Sequence, residues 1–163
     1  MECRYNYYFE TTATASSPSS FPLRVYQINL NISNKWLWPE DDSPVFYKHF
    51  YQKVTWQEAQ SVCEYNRAKL VTVDTSVQYD QVRAYLKELD VNNLVWIGLQ
   101  KEASRFAWRD AKPLEGEGYW LESPPKEPES LCVALDPWKD YRWKTFNCAG
   151  PETATFICEL PTM

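Results

Sequence analysis

The apolar positions of this chain change period several times, and each change marks an element. Tyr26, Ile28, Leu30 and Ile32 alternate with Gln27, Asn29 and Asn31, a strict period of two that predicts a half-buried strand. Val45-Phe46-Tyr47 and Phe50-Tyr51 predict a further strand or hairpin arm. Thr55-Trp56-Gln57-Glu58 is a capping box, hydroxyl at the cap and carboxylate three residues on, and it opens a helix. Trp56, Ala59 and Cys63 then fall at i, i+3 and i+7, so they share one inward face. Leu70-Val71-Thr72-Val73 predicts a short strand. A second capping box, Thr75 with Gln78, opens a helix running to about Asp90. Val82, Leu86 and Leu89 form its buried face, and Asp80, Arg83 and Lys87 its wet one.

Val95-Trp96-Ile97-Gly98-Leu99 is apolar throughout and rich in β-branched and aromatic residues, as in a strand buried on both faces. A glycine would weaken such a strand unless another backbone or a bulky ring passes close to it. From Gln100 the periodicity fades for about thirty residues, a length that in a compact domain belongs to functional or disordered loops. This stretch carries Phe106, Trp108, Tyr119 and Trp120, which predicts an ordered loop packed by its own rings. Strand character returns at Cys132-Val133-Ala134-Leu135, at Arg142-Trp143-Lys144-Thr145-Phe146 and at Thr155-Phe156-Ile157-Cys158.

At 163 residues the chain suits one domain with an appendage. Residues 1–43 read as an N-terminal extension. Within it Thr11 to Ser20 is almost entirely Thr, Ala, Ser and Pro, too polar to bury a core, and reads as flexible. Residues 44–163 form the folded domain. Its load of 8 Trp, 11 Tyr and 7 Phe favours a compact fold with few long helices. A net charge of −5 argues against a nucleic-acid binder, which needs a basic field. No apolar run reaches the about 18 residues of a membrane span, so no membrane insertion is expected within this chain. Residues 1–20 lack the apolar core of a secretory signal, so an exported protein would appear here as a mature fragment or part of a longer ectodomain.

Five cysteines stand at 3, 63, 132, 148 and 158 with no Cys-x-x-Cys pair, and His49 is the single histidine, so no metal site is expected from them. Cys63, Cys132, Cys148 and Cys158 can make two disulfides, which implies an oxidising compartment. Cys3 is left over and reads as a link to a covalent partner outside the chain rather than as a reactive thiol. Asn31-Ile32-Ser33 is an N-glycosylation acceptor pattern, with Asn31 on the polar face of its strand.

Taken in order, Thr55-Trp56-x-x-Ala59 leading to Cys63, Leu70-Val71, Trp96-Ile97-Gly98-Leu99, Phe106-x-Trp108-x-Asp110, Trp120, Cys132-Val133-x-Leu135, Trp143, Cys148 and Phe156-Ile157-Cys158-Glu159 resemble the C-type lectin-like domain. The resemblance covers about residues 44–160. It implies an α+β fold, two helices flanking small antiparallel sheets with a long ordered loop. It also implies disulfides Cys63–Cys158 and Cys132–Cys148. In the chain-entropy description the wide loop contributes roughly 4–5 kcal/mol and the short one about 3 kcal/mol.

Sugar-binding members of that family hold calcium in the long loop, and the ion needs oxygen ligands. Here the positions that resemble the ligand triplet read Pro124-Pro125-Lys126. Ser130 stands two before Cys132, and Lys144-Thr145 follows Trp143. No carboxylate remains, and an ammonium donates where calcium needs an acceptor. The resemblance therefore implies a module without the sugar-coordinating calcium site, needing no cofactor; Asp110, Glu115 and Glu117 remain as candidates for minor loop sites.

Three function classes are open. The first is calcium-independent recognition or adhesion at the cell exterior, with a protein ligand bound on the loop face. Asp136-Pro137-Trp138-Lys139-Asp140-Tyr141-Arg142 concentrates the Trp, Tyr and Arg of interface hot spots. Against it stands the plainer reading that Trp138 and Tyr141 pack back as core. The second is an anionic glycan, sulfated or sialylated, held by Lys126 and Lys144 through charge-assisted hydrogen bonds. Here Glu122, Glu127 and Glu129 could instead neutralise both amines. The third is catalysis by Glu115 and Glu117 as paired carboxylates. Nothing fixes their separation and His49 has no nucleophile beside it, so the chain does not read as an enzyme.

Overall fold

The computed structural model describes residues 45–126 and 130–161. The extension, its expected strand at 26–32, Asn31, Cys3, Glu127 and Glu129 lie outside the described residues. In chain order the elements are β1 (Val45–Val54), α1 (Trp56–Tyr65), β2 (Lys69–Leu70), α2 (Ser76–Glu88), β3 (Val95–Glu102), β4 (Arg105–Trp108), β5 (Leu131–Asp136), a 3-10 turn (Pro137–Lys139), β6 (Arg142–Asn147) and β7 (Ala154–Pro161).

Both helices start where their sequence signals lie. Thr55 and Thr75 each accept a bond from the backbone N–H three residues on, and Glu58 and Gln78 return the bond to the cap. The seven strands form one mixed sheet in the order β1-β7-β3-β5-β6, with β2 on β7 and β4 on β3. Only β3 and β7 run parallel; every other pair is antiparallel. The expected α+β fold with two helices is formed, and its strands join in one continuous sheet with a parallel seam at β3–β7 where small antiparallel sheets were expected.

Alternation along the strands sorts the core onto two faces. Trp96, Cys132, Ala134, Phe156 and Cys158 meet α1 through Trp56, Ala59 and Cys63. On the opposite face Val95, Ile97, Leu99, Val133, Leu135, Trp143 and Ile157 meet α2 through Tyr79, Val82, Tyr85 and Leu86. The two large indoles of the α1 face are tied to backbone. Trp56 Nε1 donates to the Ile97 carbonyl and Trp96 Nε1 to that of Val54, each at 2.9 Å. Both disulfides implied by the resemblance are formed, Cys63–Cys158 with Cα atoms 5.6 Å apart and Cys132–Cys148 at 5.1 Å.

The close approach expected at Gly98 is the backbone of Leu70 and Val71. Gly98 N donates to the Val71 carbonyl at 2.9 Å, and a Cβ at Gly98 would lie 2.6 Å from the Leu70 carbonyl oxygen. Two strands differ from the sequence reading. Ladder pairing at 69–73 covers only Lys69 and Leu70, after which Val71 bridges two strands, its N–H donating to the Ile157 carbonyl of β7 at 3.0 Å and its carbonyl accepting from Gly98. In contrast, β3 continues past Leu99 to Glu102 and turns through Ala103 and Ser104 into β4. Both turn residues are left-handed, with φ of 46° and 69°. Such two-residue turns favour Asn-Gly or Asp-Gly, so an Ala-Ser pair gives no hairpin signal.

His49, fully buried between α2 and β7, is the most exacting polar group of the core. Thr155 Oγ1 donates its one proton to the Leu94 carbonyl at 2.9 Å, so it accepts from His49 Nε2 at 3.0 Å. Nδ1 has no hydrogen-bond partner among the described residues. Burial therefore pulls the imidazole from 6.5 down to about 4.

Two outcomes follow from this core. Gly98→Ala should lower stability by about 2–3 kcal/mol, since backbone is what must move, read as a drop in melting temperature. The unfolded chain takes up a proton at His49 as pH falls below 6.5 while the fold refuses it until about 4. Stability should accordingly decline across that window by roughly 3 kcal/mol and level off below it. Urea titrations at several pH values should show that part of the slope missing in His49→Gln.

Candidate functional site

The long loop leaves β4 and is rebuilt at once by backbone bonds. Trp108 N donates to the Lys112 carbonyl at 2.8 Å and Leu114 N to that of Phe106 at 3.0 Å. Farther on, residues 119–121 run alongside the outer edge of β6. Trp143 N donates to the Tyr119 carbonyl and Leu121 N to the Trp143 carbonyl, both at 2.9 Å. The loop thereby covers an edge that would otherwise present unpaired backbone. Trp143 is the hub, with Trp108, Tyr119 and Trp120 edge-on to its ring at centroid distances of 5.7, 5.4 and 5.1 Å. Tyr79 of α2 stacks on Tyr119 at 4.1 Å. Through Trp120 the loop is packed by its own rings, as its aromatic content predicts.

Beneath the loop tip lies a cation that sequence reasoning missed. Lys101, at the end of β3, is only 4 % exposed. Its Nζ donates to the Pro125 carbonyl at 3.2 Å and also to the Lys126 carbonyl. The signal available was its place in the strand: it continues the inward positions Val95, Ile97 and Leu99.

The second part of the face is the turn between β5 and β6. Asp136 Oδ1 accepts from Trp138 N at 3.0 Å and the Asp136 carbonyl from Tyr141 N at 2.8 Å. Asp140 and Tyr141 are both left-handed, with φ of 53° and 58°. These constraints turn Trp138 outward, 67 % exposed, beside exposed Lys139 and Arg142. Tyr141 goes the other way. It is 5 % exposed, and its hydroxyl donates to the Val91 carbonyl at 3.0 Å. Tyr141 is core, and the expectation that it lines a binding surface is corrected: its left-handed backbone points the ring under the turn.

Asp140 anchors this turn to α2. Its carboxylate receives Arg83 and, at 3.0 Å, Lys87, while its carbonyl accepts from the Tyr79 hydroxyl at 3.2 Å. The Arg83 and Lys87 hydrogen bonds hold the Asp140 carboxyl well below the usual carboxylate range. Arg83 and Lys87 were legible only as a wet helix face, because their partner lies more than fifty residues away.

The remaining candidates are dispersed. Lys126 is exposed at the loop tip, and Lys144 is exposed on β6, its Nζ 5.4 Å from the Phe146 ring. Arg142 shares the Lys144 face of that strand. Asp110 is engaged by Lys69 at 3.1 Å and Lys112 at 3.6 Å. Lys69 also bridges to Glu159 at 3.0 Å, a carboxyl raised by burial. Glu115 and Glu117 are exposed along the loop with Gly116 between them.

Comparison with known proteins bears on this arrangement. The Lectin C-type domain family profile matches residues 52–160. Snaclec A8 of Macrovipera lebetinus is 30% identical over 125 residues, covering 70% of this chain and 90% of that protein. One polypeptide of the snaclec coagulation factor IX/factor X-binding protein of Protobothrops flavoviridis is 29% identical over 124 residues, covering 69% and 76%. Among solved structures, SPL-1 in complex with GlcNAc superposes with a TM-score of 0.67 at 23% identity, covering 82% of this chain and 97% of that one. The match to the family profile, the two disulfides and the two-helix mixed-sheet fold together place the chain in the C-type lectin domain family.

Proposed function

We propose that this chain is an extracellular, calcium-independent recognition or adhesion module that binds a protein ligand through its long-loop face, with Trp138 as the anchor. The observation that carries the reading is the indole of Trp138, 67 % exposed on a turn held by two bonds to Asp136. A large ring fixed before binding loses little conformational freedom on binding. Trp and Arg dominate interface hot spots, and Arg142 stands four residues on, at the start of the next strand. The snaclec named for binding coagulation factors IX and X is a relative whose name gives it protein partners. The two disulfides favour an oxidising, extracellular setting.

Calcium independence is supported by the residues at the loop positions. Pro124, Pro125, Lys126, Ser130, Lys144 and Thr145 supply no carboxylate. Catalysis has no support in the geometry around Glu115 and Glu117. Cys3 is proposed as the link to a covalent partner, and Asn31 as a glycan acceptor.

A second reading, an anionic glycan, draws on Arg142 and Lys144 sharing one exposed face of β6, with Lys126 at the loop tip. A solved relative with GlcNAc bound shows the fold in a sugar complex.

An array of extracellular proteins and an array of sulfated and sialylated glycans, each probed with and without chelator, separates the readings. Protein binding should survive chelation and weaken by about thirtyfold in Trp138→Ala, with the melting temperature unchanged. Tyr141→Ala, in contrast, should cost about 3 kcal/mol of stability as a core truncation. Glycan signals lost in Arg142→Ala and Lys144→Ala would favour the second reading, and binding that needs calcium would overturn both.

A further inference from the structure

We propose that the Lys101 ammonium is a built-in cation that sets the conformation of the long-loop tip. It is a positioning residue for the loop face, and the inference rests on the calcium-independent reading of that face. Alternation along β3 puts Lys101 on the same side as Val95, Ile97 and Leu99. A buried ammonium is tolerated only where oxygens meet it. Among the described residues, those oxygens include the carbonyls of consecutive residues, Pro125 and Lys126.

Two neighbouring carbonyls face one point only when the chain bends around that point. Pro124 and Pro125, with φ fixed and no N–H to donate, keep this stretch out of helix and strand pairing, so the Lys101 bonds are what hold the bend. Among the described residues, the hydrogen bonds joining 122–126 to the rest of the protein are the two from Lys101. Leu121 on the near side is held by Trp143, and Leu131 on the far side by β5 pairing. The described part of the tip, residues 122–126, is therefore tethered through the amine by charge-assisted bonds that no chelator removes.

A carboxylate in place of the amine would change the chemistry of the same point. Two backbone carbonyls and a carboxylate offer the oxygens a hard divalent cation takes. Lys101→Glu should consequently convert the tip from indifferent to calcium-responsive, whereas Lys101→Met should lose the tether without gaining a response.

The test reads trypsin cleavage after Lys126 in the non-reduced protein, resolved by mass spectrometry, with calcium chloride or chelator as the only variable. In the wild-type chain the cleavage rate should be the same in both. Lys101→Met should be cut at least about tenfold faster in both, since cleavage follows the open population. Lys101→Arg should stay near the wild-type rate. Lys101→Glu should be cut fast in chelator and slowed severalfold by a few millimolar calcium. Wild-type rates that rise in chelator, Lys101→Met cut at the wild-type rate, or Lys101→Glu blind to calcium would each overturn the proposal.

Should the Met and Glu variants not fold, acetylation of the native chain decides the matter. Lys101 should react at least about tenfold more slowly than Lys126, and molecules acetylated at Lys101 should be the ones a glutamate-specific protease opens after Glu122, a bond that lysine acetylation leaves cleavable. Equal rates, or Lys101-acetylated molecules that resist that protease as the unmodified chain does, would overturn it. None of these rates depends on a ligand, so failure of protein binding at Trp138 would leave them standing.

Discussion

Trp143 is the interaction on which the loop face depends. One residue of β6 gives its N–H to Tyr119 and its carbonyl to Leu121, and its ring to Trp108, Tyr119 and Trp120. Backbone and side chain therefore fix the same stretch of loop twice, once in register and once in depth. The indole N–H groups of Trp108 and Trp143 have no acceptor among the described residues. The hub is thus held by ring packing and by main-chain bonds, and not by polar side-chain contacts. A loop of this length stays ordered because its rings find a buried one waiting on the sheet.

The sequence made some of this legible and hid the rest, for physical reasons. Both capping boxes could be read because each is a local exchange of two bonds within four residues. Gly98 could be read because a strand interior excludes glycine unless space demands it. The β3–β4 hairpin was hidden, since its left-handed turn is carried by Ala103 and Ser104 in place of the residues that favour that conformation. Tyr141 and Trp138 have the same composition signal and opposite fates. Only the left-handed run at 140–141, invisible in residue types, decides which ring goes inward. Lys101 was hidden because a lysine in a strand reads as an exposed position until its carbonyl partners are placed above it.

Charge on the face is distributed by the same local bonding. The chain carries a net −5, yet the carboxylates next to Trp138 are already committed. Asp136 caps the turn, and Asp140 is held ionised by Arg83 and Lys87. Lys139, Arg142 and Lys144 remain exposed along the turn and β6. An acidic protein thus presents a locally cationic rim around the most exposed indole among its described residues. Such local fields govern encounter and orientation more than final affinity.

The position of β7 has a further effect, on how the molecule is made. It pairs with β1, β2 and β3, and so forms the seam of the sheet while lying last in the described chain. Until it emerges from the ribosome, β1 and β2 lack the strand they pair with and β3 lacks its parallel neighbour, and Cys63 must wait 95 residues for Cys158. At synthesis rates of roughly 5–20 residues per second the delay is about 5–20 s. During that time the Cys63 thiol can meet Cys132 or Cys148 first. Reaching the native pairing then depends on thiol exchange after the last strand arrives, which ties the yield of folded protein to the oxidative machinery of the compartment that makes it.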